Sequence, residues 1–281
     1  MLSSDPGSDH PIRVMSYNIH RWAGQDGRLN VRRLAHVIRA SGADVVGLNE
    51  VLNPVTVDGR TQDPLVELAD RLGMFYVFGP SGWIDHRAPS WHGPVGNALL
   101  SRYPLRDVTN TQLPKVRGTK RRSLLAATVG DEPASLRAHV THLDHAFEGT
   151  RLLQVRAVLR LLPTTGLHYL GGDFNTPGFV GRRSRHLLPP VLRYLQWAGY
   201  RDVFGEVGEG NGRTFPSTAP ILRLDFLFLP ARYAGGLRWA YALNSRVTQA
   251  ASDHRPLVAE LLLPPRHEWD DCTSSSSSTG L

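Results

Sequence analysis

Apolar and polar positions alternate through Ile12-Arg13-Val14-Met15-Ser16-Tyr17-Asn18, as they do in a half-buried strand. Asn30 then has the character of an N-cap, with Val31, Leu34, Ala35 and Ile38 at helical spacing and Gly42 as the stop. Asp44 to Glu50 reads as a second buried strand, ending on a carboxylate. A strand, a helix and a strand in succession predict layered α/β architecture. Pro64 to Gly73 opens on proline and stops on glycine, which predicts a short helix. Strands are predicted at Phe75–Phe78, from Gly96 into a turn at Leu105, and at Thr109–Leu113, Ser123–Val129 and Ala134–Thr141. Between the first two of these, Ser81 to Pro94 reads as a loop carrying Trp83, His86, Arg87, Trp91 and His92. It is either a substrate-facing lid or a surface loop anchored by its tryptophans. Leu152, Val155, Leu159 and Leu162 form one face of a helix over Thr150–Leu162, terminated by Pro163. A helix from about Leu192 to Ala198, then strands at Arg223–Leu229, Leu237–Leu243 and Leu257–Leu263, complete the pattern.

The most informative stretch follows the apolar run Leu167–Leu170. Gly171 and Gly172 permit close backbone approach, and Asp173, Asn175 and Pro177 come directly after. In an extended segment Asp173 and Asn175 share one face. Taken alone, this is either a polar site at the rim of a sheet, where α/β folds put their chemistry, or an Asx-type turn.

Composition narrows the class. With 281 residues and 41% hydrophobic content, the chain can bury a large core, and no interior linker divides it. One domain over residues 12–263 is expected, with disordered ends at 1–11 and 264–281. No apolar run reaches the length of a membrane span, and the N-terminus lacks the apolar core of a signal peptide. The single cysteine, Cys272, lies in the polar tail, which excludes an intrachain disulfide and a thiolate metal cluster. A cytoplasmic monomer is the expectation. The net charge of +7 comes almost wholly from arginine, Lys115 and Lys120 being the only lysines. Basic clusters lie at Lys115, Arg117, Lys120, Arg121 and Arg122, and again at Arg182, Arg183 and Arg185. Such charge suits a phosphate-bearing partner, whether nucleic acid, phospholipid headgroup or phosphorylated metabolite.

Polar side chains recur where strands end: Asn18, Glu50, His142, Asp173 with Asn175, Asp225, and Asp253 with His254. Asp225 is the sole acid in the apolar run Arg223–Leu229, and a buried carboxylate there requires a partner or a metal. Oxygen donors dominate the set, which suits Mg²⁺, Mn²⁺ or Ca²⁺ rather than zinc. A cation, imidazole and amide donors, and a carboxylate to orient water are the parts that hydrolysis of a phosphodiester needs.

Seven short motifs then occur in one order: Ser16-Tyr17-Asn18-Ile19-His20, Val46-Gly47-Leu48-Asn49-Glu50, Gly96-Asn97-Ala98-Leu99-Leu100-Ser101-Arg102, Thr141-His142-Leu143, Gly171-Gly172-Asp173-Phe174-Asn175, Leu224-Asp225-Phe226 and Ser252-Asp253-His254-Arg255-Pro256. Each is weak alone, but together they resemble the endonuclease/exonuclease/phosphatase superfamily, with its deoxyribonuclease-I-like fold, over roughly residues 12–263. The resemblance implies an α/β four-layer sandwich, two packed mixed β-sheets flanked by helices. It implies Glu50 as the main metal ligand, completed by Asn18 and Asp253. Asp173 and Asn175 would position water and phosphate, His142 and His254 would donate to phosphate oxygens or carry protons, and Asp225 would hold His254. Asn18, His20, Asn97, Arg121, Arg122 and Arg183 are the expected substrate contacts. Two departures stand out: His20 where the abasic-site endonuclease branch has an acid, and Asn49 where glutamine is common. The presence of His142 is similar to the deoxyribonuclease-I and sphingomyelinase branches. A Mg²⁺- or Mn²⁺-dependent phosphodiesterase acting on nucleic acid is the first expectation. A phospholipid or sphingomyelin phosphodiesterase or a small-molecule phosphatase is the alternative, and a non-catalytic scaffold comes third.

Overall fold

The computed structural model describes residues 10–87, 90–130, 135–178 and 188–263. The basic cluster at Arg182, Arg183 and Arg185 and nearly all of both expected disordered ends lie outside the described residues. In chain order the strands are β1 (His10–Asn18), β2 (Val45–Leu52), β3 (Val55–Val57), β4 (Arg60–Gln62), β5 (Phe75–Arg87), β6 (Ser90–Ser101), β7 (Leu105–Gln112), β8 (Ser123–Val129), β9 (Leu136–His142), β10 (His168–Gly178), β11 (Tyr200–Asp202), β12 (Gly208–Glu209), β13 (Arg223–Pro230), β14 (Leu237–Ala242) and β15 (Leu257–Leu263). The α-helices are α1 (Val31–Ser41), α2 (Pro64–Leu72), α3 (Glu148–Leu161), α4 (Pro190–Trp197), α5 (Val203–Val207) and α6 (Arg246–Ala251).

Two mixed sheets result. One runs β12-β14-β15-β1-β2-β6-β3-β4, with β5 also on β6; the other runs β11-β13-β10-β9-β8-β7. The β1–β2 and β9–β10 pairs are parallel, and antiparallel neighbours surround both. Alternation along β1 explains the layering. Ile12 and Val14 face the second sheet, in a core with Val45, Leu99, Val140 and Leu227. Met15 and Tyr17 face outward onto Leu34 and Ile38 of α1. On the far side, Val155 and Val158 of α3 and Val191 and Leu195 of α4 cover Leu170, Phe226 and Phe228. Each such buried aliphatic or aromatic side chain stabilises the fold by about 1.5–3 kcal/mol. The outcome is a helix–sheet–sheet–helix sandwich.

The helix caps follow the residue types. The Asn30 side chain accepts from Arg33 N, Asp63 does the same for Val66 N, and Gly42 and Gly73 close their helices in the left-handed conformation.

Two expectations are corrected. β1 begins at His10 rather than residue 12, because Pro11 pairs with Leu262. The segment Ser81–Pro94 is not a loop; β5 and β6 stay paired from Phe75↔Ser101 to Arg87↔Ser90. Gly93 within it and Gly96 just after it serve close packing. A Cβ on Gly96 would sit 2.0 Å from Gly79 O, and one on Gly93 would sit 2.2 Å from Pro54 O. The irregularity at Pro80 is absorbed by a register shift before Gly82.

Candidate active site

The first sheet brings Asn18, Glu50 and Asn97 to one end of the sandwich, and the second brings His142, Asp173, Asn175 and Asp225. Asp253 and His254 arrive on the turn that precedes β15. Asn49 stitches the two sheets at this end. It is fully buried; its Nδ2 donates to Asn97 Oδ1 at 2.9 Å and to Thr141 O at 3.0 Å, and its Oδ1 accepts from Asp173 N at 2.8 Å. Asn97 Nδ2 donates onward to Ser123 O at 3.0 Å. Both ends of the Asn97 amide are thus engaged between the sheets, although the residue also borders the pocket described below.

Two site side chains are aimed by broken strands. Glu50 has φ 55°, where the β2–β6 register shifts between Leu48 and Val51. Asn175 has φ 49°, where the β10–β13 register shifts after Asp173. Simple alternation therefore does not set the direction of Asn175; a left-handed kink does. Gly172 has φ 145°, and a Cβ there would meet Thr141 O at 1.8 Å, so this glycine is what lets β10 lie against β9 at the site.

Asp173 is the hub. Asn18 Nδ2 donates to its Oδ2 at 3.0 Å, and the Nε2 atoms of His142 and His254 approach the same oxygen at 3.5 and 3.7 Å. Its other oxygen accepts from Asn175 N at 2.9 Å. Burial, opposed by His254 and reinforced by Asp225, raises the Asp173 carboxyl to about 6. His254 donates through Nδ1 to Asp225 Oδ2 at 2.8 Å. Burial works against its charge, but Asp225 and Asp173 outweigh it and lift the imidazole to about 10. Asp225, alone in its apolar strand, is therefore partnered by an imidazolium.

His142 has the opposite surroundings. The Arg122 guanidinium lies 2.9 Å from its Nδ1. A guanidinium only donates, so Nδ1 is the acceptor and the proton of the neutral ring sits on Nε2, toward Asp173 Oδ2 at 3.5 Å. Asn175 Nδ2, 2.9 Å from the same Nε2, is itself a donor and gives its hydrogen bond to Leu143 O at 3.0 Å. Burial first, and then Arg122 and His254, hold this imidazole well below its ordinary range.

Glu50 and Asp253 form the outer pole. Arg21 Nε stands 3.3 Å from Glu50, and His20 Nε2 stands 3.9 Å from Asp253. Burial alone would raise the Glu50 carboxyl, but Arg21, Arg122, His20 and His254 together hold it below the usual range. His20, Arg21 and Trp22 are three consecutive residues with positive φ, and this tight turn carries the His20 and Arg21 side chains to the rim. Ser252 ties the pole to β1 by donating to Asn18 O at 2.7 Å.

Beside this centre a pocket of ≈ 380 Å³ opens between the β5–β6 hairpin and the β7–β8 loop, with Glu50 and His142 on its floor and Arg121 and Arg122 in its wall. Arg121 and Arg122 thus lie next to the cluster, whereas Arg183 falls outside the described residues. Arg21, Ser252 and the stitching role of Asn49 were not expected from the sequence. A basic residue three after the Asn18 strand end was a signal for Arg21; the other two depend on contacts across the sheets.

Among the described residues, Asp173, Asp225 and His254 present ligand atoms within 4.8 Å of one another, close enough to hold a metal ion. No helix among the described residues is long and apolar enough to cross a membrane.

Uncharacterized protein YbhP of Escherichia coli K12 is 27% identical over 270 residues, covering 92% of this chain and 99% of that protein. The endonuclease/exonuclease/phosphatase crystal structure from Beutenbergia cavernae superposes with a TM-score of 0.70 at 25% identity, over 90% of this chain and 72% of that one. The mannosyl-6-phosphatase Bt3783 of Bacteroides thetaiotaomicron shares the fold at a TM-score of 0.66 and 17% identity, over 89% and 99% of the two chains. The family model for the Endonuclease/Exonuclease/phosphatase family matches residues 15–254, and the chain belongs to that family.

Proposed function

We propose that this chain hydrolyses phosphoester bonds with the help of a divalent cation, Mg²⁺ or Mn²⁺ ahead of Ca²⁺. The convergence of three donors on one carboxylate oxygen, Asp173 Oδ2, is the observation that carries this reading. A carboxyl raised to about 6 is ionised at neutral pH and still basic enough to take a proton. In this reading Asp173 accepts the proton of the attacking water, and Asn175 fixes the water and a phosphate oxygen. His254 donates from Nε2 to a phosphate oxygen as charge builds there, with Asp225 behind it. His142, neutral, donates from Nε2 without gaining charge.

The residues fit a hard cation. An imidazolium has no lone pair on nitrogen, so protonated His254 is a poor ligand and the Asp173–Asp225–His254 group reads as an acid–base unit. Glu50 and Asp253 instead offer carboxylate oxygens, partly open to solvent, Glu50 beside Arg21 and Asp253 beside the His20 imidazole. With the Asn18 carbonyl they form an all-oxygen set of the kind Mg²⁺ prefers. A cation bound there would neutralise phosphate charge and stabilise the leaving oxygen. Glu50→Gln should raise the Mg²⁺ concentration needed for half-maximal rate several-fold; an unchanged requirement would remove Glu50 from the ligand set.

For substrate, the modest pocket volume of ≈ 380 Å³ favours a compact phosphorylated molecule. A nucleic-acid phosphodiester is the second reading, favoured by Arg121 and Arg122 beside the centre. The deciding test is a panel of sugar phosphate, mononucleotide, single-stranded RNA, plasmid DNA, sphingomyelin and bis-p-nitrophenyl phosphate, each with Mg²⁺, Mn²⁺, Ca²⁺ or chelator. Cation-dependent turnover confined to small phosphoesters supports the first reading, and turnover of polymers alone supports the second. Hydrolysis that survives chelation would contradict the cation requirement.

A further inference from the structure

Several arginines elsewhere in the fold are ion-paired. Arg13 pairs with Glu260, Arg71 with Glu67, Arg102 with Asp44, Arg151 with Glu148 and Arg223 with Asp202. The pocket bordered by His142 instead gathers cations with few carboxylates to meet them. Its lining includes five cations, Arg21, Lys115, Lys120, Arg121 and Arg122, against one carboxylate, Glu50. Arg21 faces Glu50 and Arg122 faces His142. Lys115, Lys120 and Arg121 have no ion-pair or side-chain hydrogen-bond partner among the described residues. Lys115 and Lys120 are also the only lysines of the chain, so both of its compact ammonium donors stand in one pocket wall.

The loop that carries them is held in shape. Leu113 N donates to Arg122 O at 2.8 Å and closes its base. Buried Thr119 donates through both its backbone N and its hydroxyl to Val116 O, at 3.1 and 2.8 Å. Gln154 Nε2 of α3 donates to Pro114 O at 3.3 Å. Gly118, at φ 85°, makes the turn. Opposite, the β5 strand presents Trp83, whose side chain is 66% exposed and lines the same pocket.

We infer that Lys115, Lys120 and Arg121 form a subsite for a second phosphate of the substrate, with Trp83 as the platform for the ring that joins the two phosphates. This rests on the hydrolase reading above and adds a substrate class to it: a compact ring carrying two phosphate groups. One phosphoester meets Asp173 and the other meets the cationic loop. A single phosphate at the centre leaves three clustered positive charges uncompensated. A second phosphate neutralises them with charge-assisted hydrogen bonds, for which ammonium and guanidinium groups are both suited. An indole face accepts the ring of either a sugar or a nucleoside. The pocket volume of ≈ 380 Å³ is in the range that holds a molecule of this size.

The test compares adenosine 3′,5′-bisphosphate with adenosine 5′-monophosphate, and fructose 1,6-bisphosphate with fructose 6-phosphate, with Mg²⁺ present. The readout is the ratio of kcat/KM for bisphosphate over monophosphate, in wild type and in the Lys115→Ala/Lys120→Ala/Arg121→Ala variant. All three side chains are exposed, and circular dichroism checks that the variant folds. In parallel, reductive ¹³C-methylation labels only Lys115, Lys120 and the N-terminal amine, and their NMR signals are followed as each compound is added. The expected result is a ratio of at least about tenfold that collapses in the variant, with both lysine signals moving for bisphosphates first. The pair that shows it tells nucleoside from sugar. Equal turnover of mono- and bisphosphates, with still lysine signals, overturns the subsite and leaves the hydrolase reading intact. Bisphosphate-induced lysine shifts without hydrolysis of any compound uphold the subsite and overturn the hydrolase reading. Neither shifts nor hydrolysis overturns both.

Discussion

Two histidines stand within 4 Å of the same Asp173 oxygen, and their backing atoms give them opposite chemistry. Behind His254 is a carboxylate, Asp225, and the imidazole is held protonated, up to about 10. Behind His142 is a guanidinium, Arg122, and the imidazole is held neutral with its proton on Nε2. Both are buried to a similar degree, so burial does not separate them; the sign of the neighbouring charge does. The charge of each imidazole is therefore set one residue further out. The arrangement places one cationic and one neutral donor around a single carboxylate.

Replacing the partners one at a time tests this asymmetry. The largest effect is expected for Asp225→Asn, which removes the charge behind His254. Its rate should fall by about 10²- to 10⁴-fold, the usual weight of a positioned acid–base group. The wild-type pH–rate profile should be a plateau. Asp173 works ionised, so activity is present above about 6 and is lost as the pH falls through that value. His254 works protonated, so activity is lost as the pH rises through about 10. In Asp225→Asn the alkaline limb should move toward neutral pH, and an unmoved limb would detach it from His254.

Arg122→Gln should act more mildly on rate, by about 10- to 100-fold, through loss of one charged donor. Its particular signature is on His142. With the guanidinium gone, the imidazole should titrate at higher pH than in wild type, while the larger effect of burial keeps it below its ordinary value. NMR titration of the ring protons measures this, and an unchanged His142 would show that Arg122 does not set its charge.

The smallest catalytic effect, but a clear structural one, is expected for Asn49→Ala. It strips two sheet-to-sheet bonds and leaves the buried Thr141 O and Asp173 N without that partner. Each such group costs about 1–3 kcal/mol, readable as a lower urea midpoint. A midpoint equal to wild type would mean the stitch adds nothing to stability.

Much of this was legible in the chain. The α1 and α2 boundaries followed from Asn30, Gly42, Pro64 and Gly73, because helix ends are local chemistry. Asp225 announced a partner because a lone carboxylate in an apolar strand cannot stand unpaired. What escaped was set by tertiary contact. The β5–β6 hairpin read as a loop of aromatic and basic residues, and the backbones that pass within van der Waals range of Gly93 and Gly96 are a fact no local pattern carries. The pairing of Arg122 with His142 joins residues 20 apart in sequence, on two neighbouring strands' ends, and nothing in either motif names the other. Glu50 and Asn175 were legible as polar strand ends, but the left-handed kinks that aim them were not.

The most direct test is the initial rate of wild type and Asp173→Asn on bis-p-nitrophenyl phosphate with Mg²⁺, each repeated after chelation. Asparagine keeps the shape and an amide oxygen but cannot take a proton from water. The account predicts Mg²⁺-dependent turnover by wild type and a loss of at least about a thousandfold in a folded variant. Turnover by Asp173→Asn at the wild-type rate would contradict it.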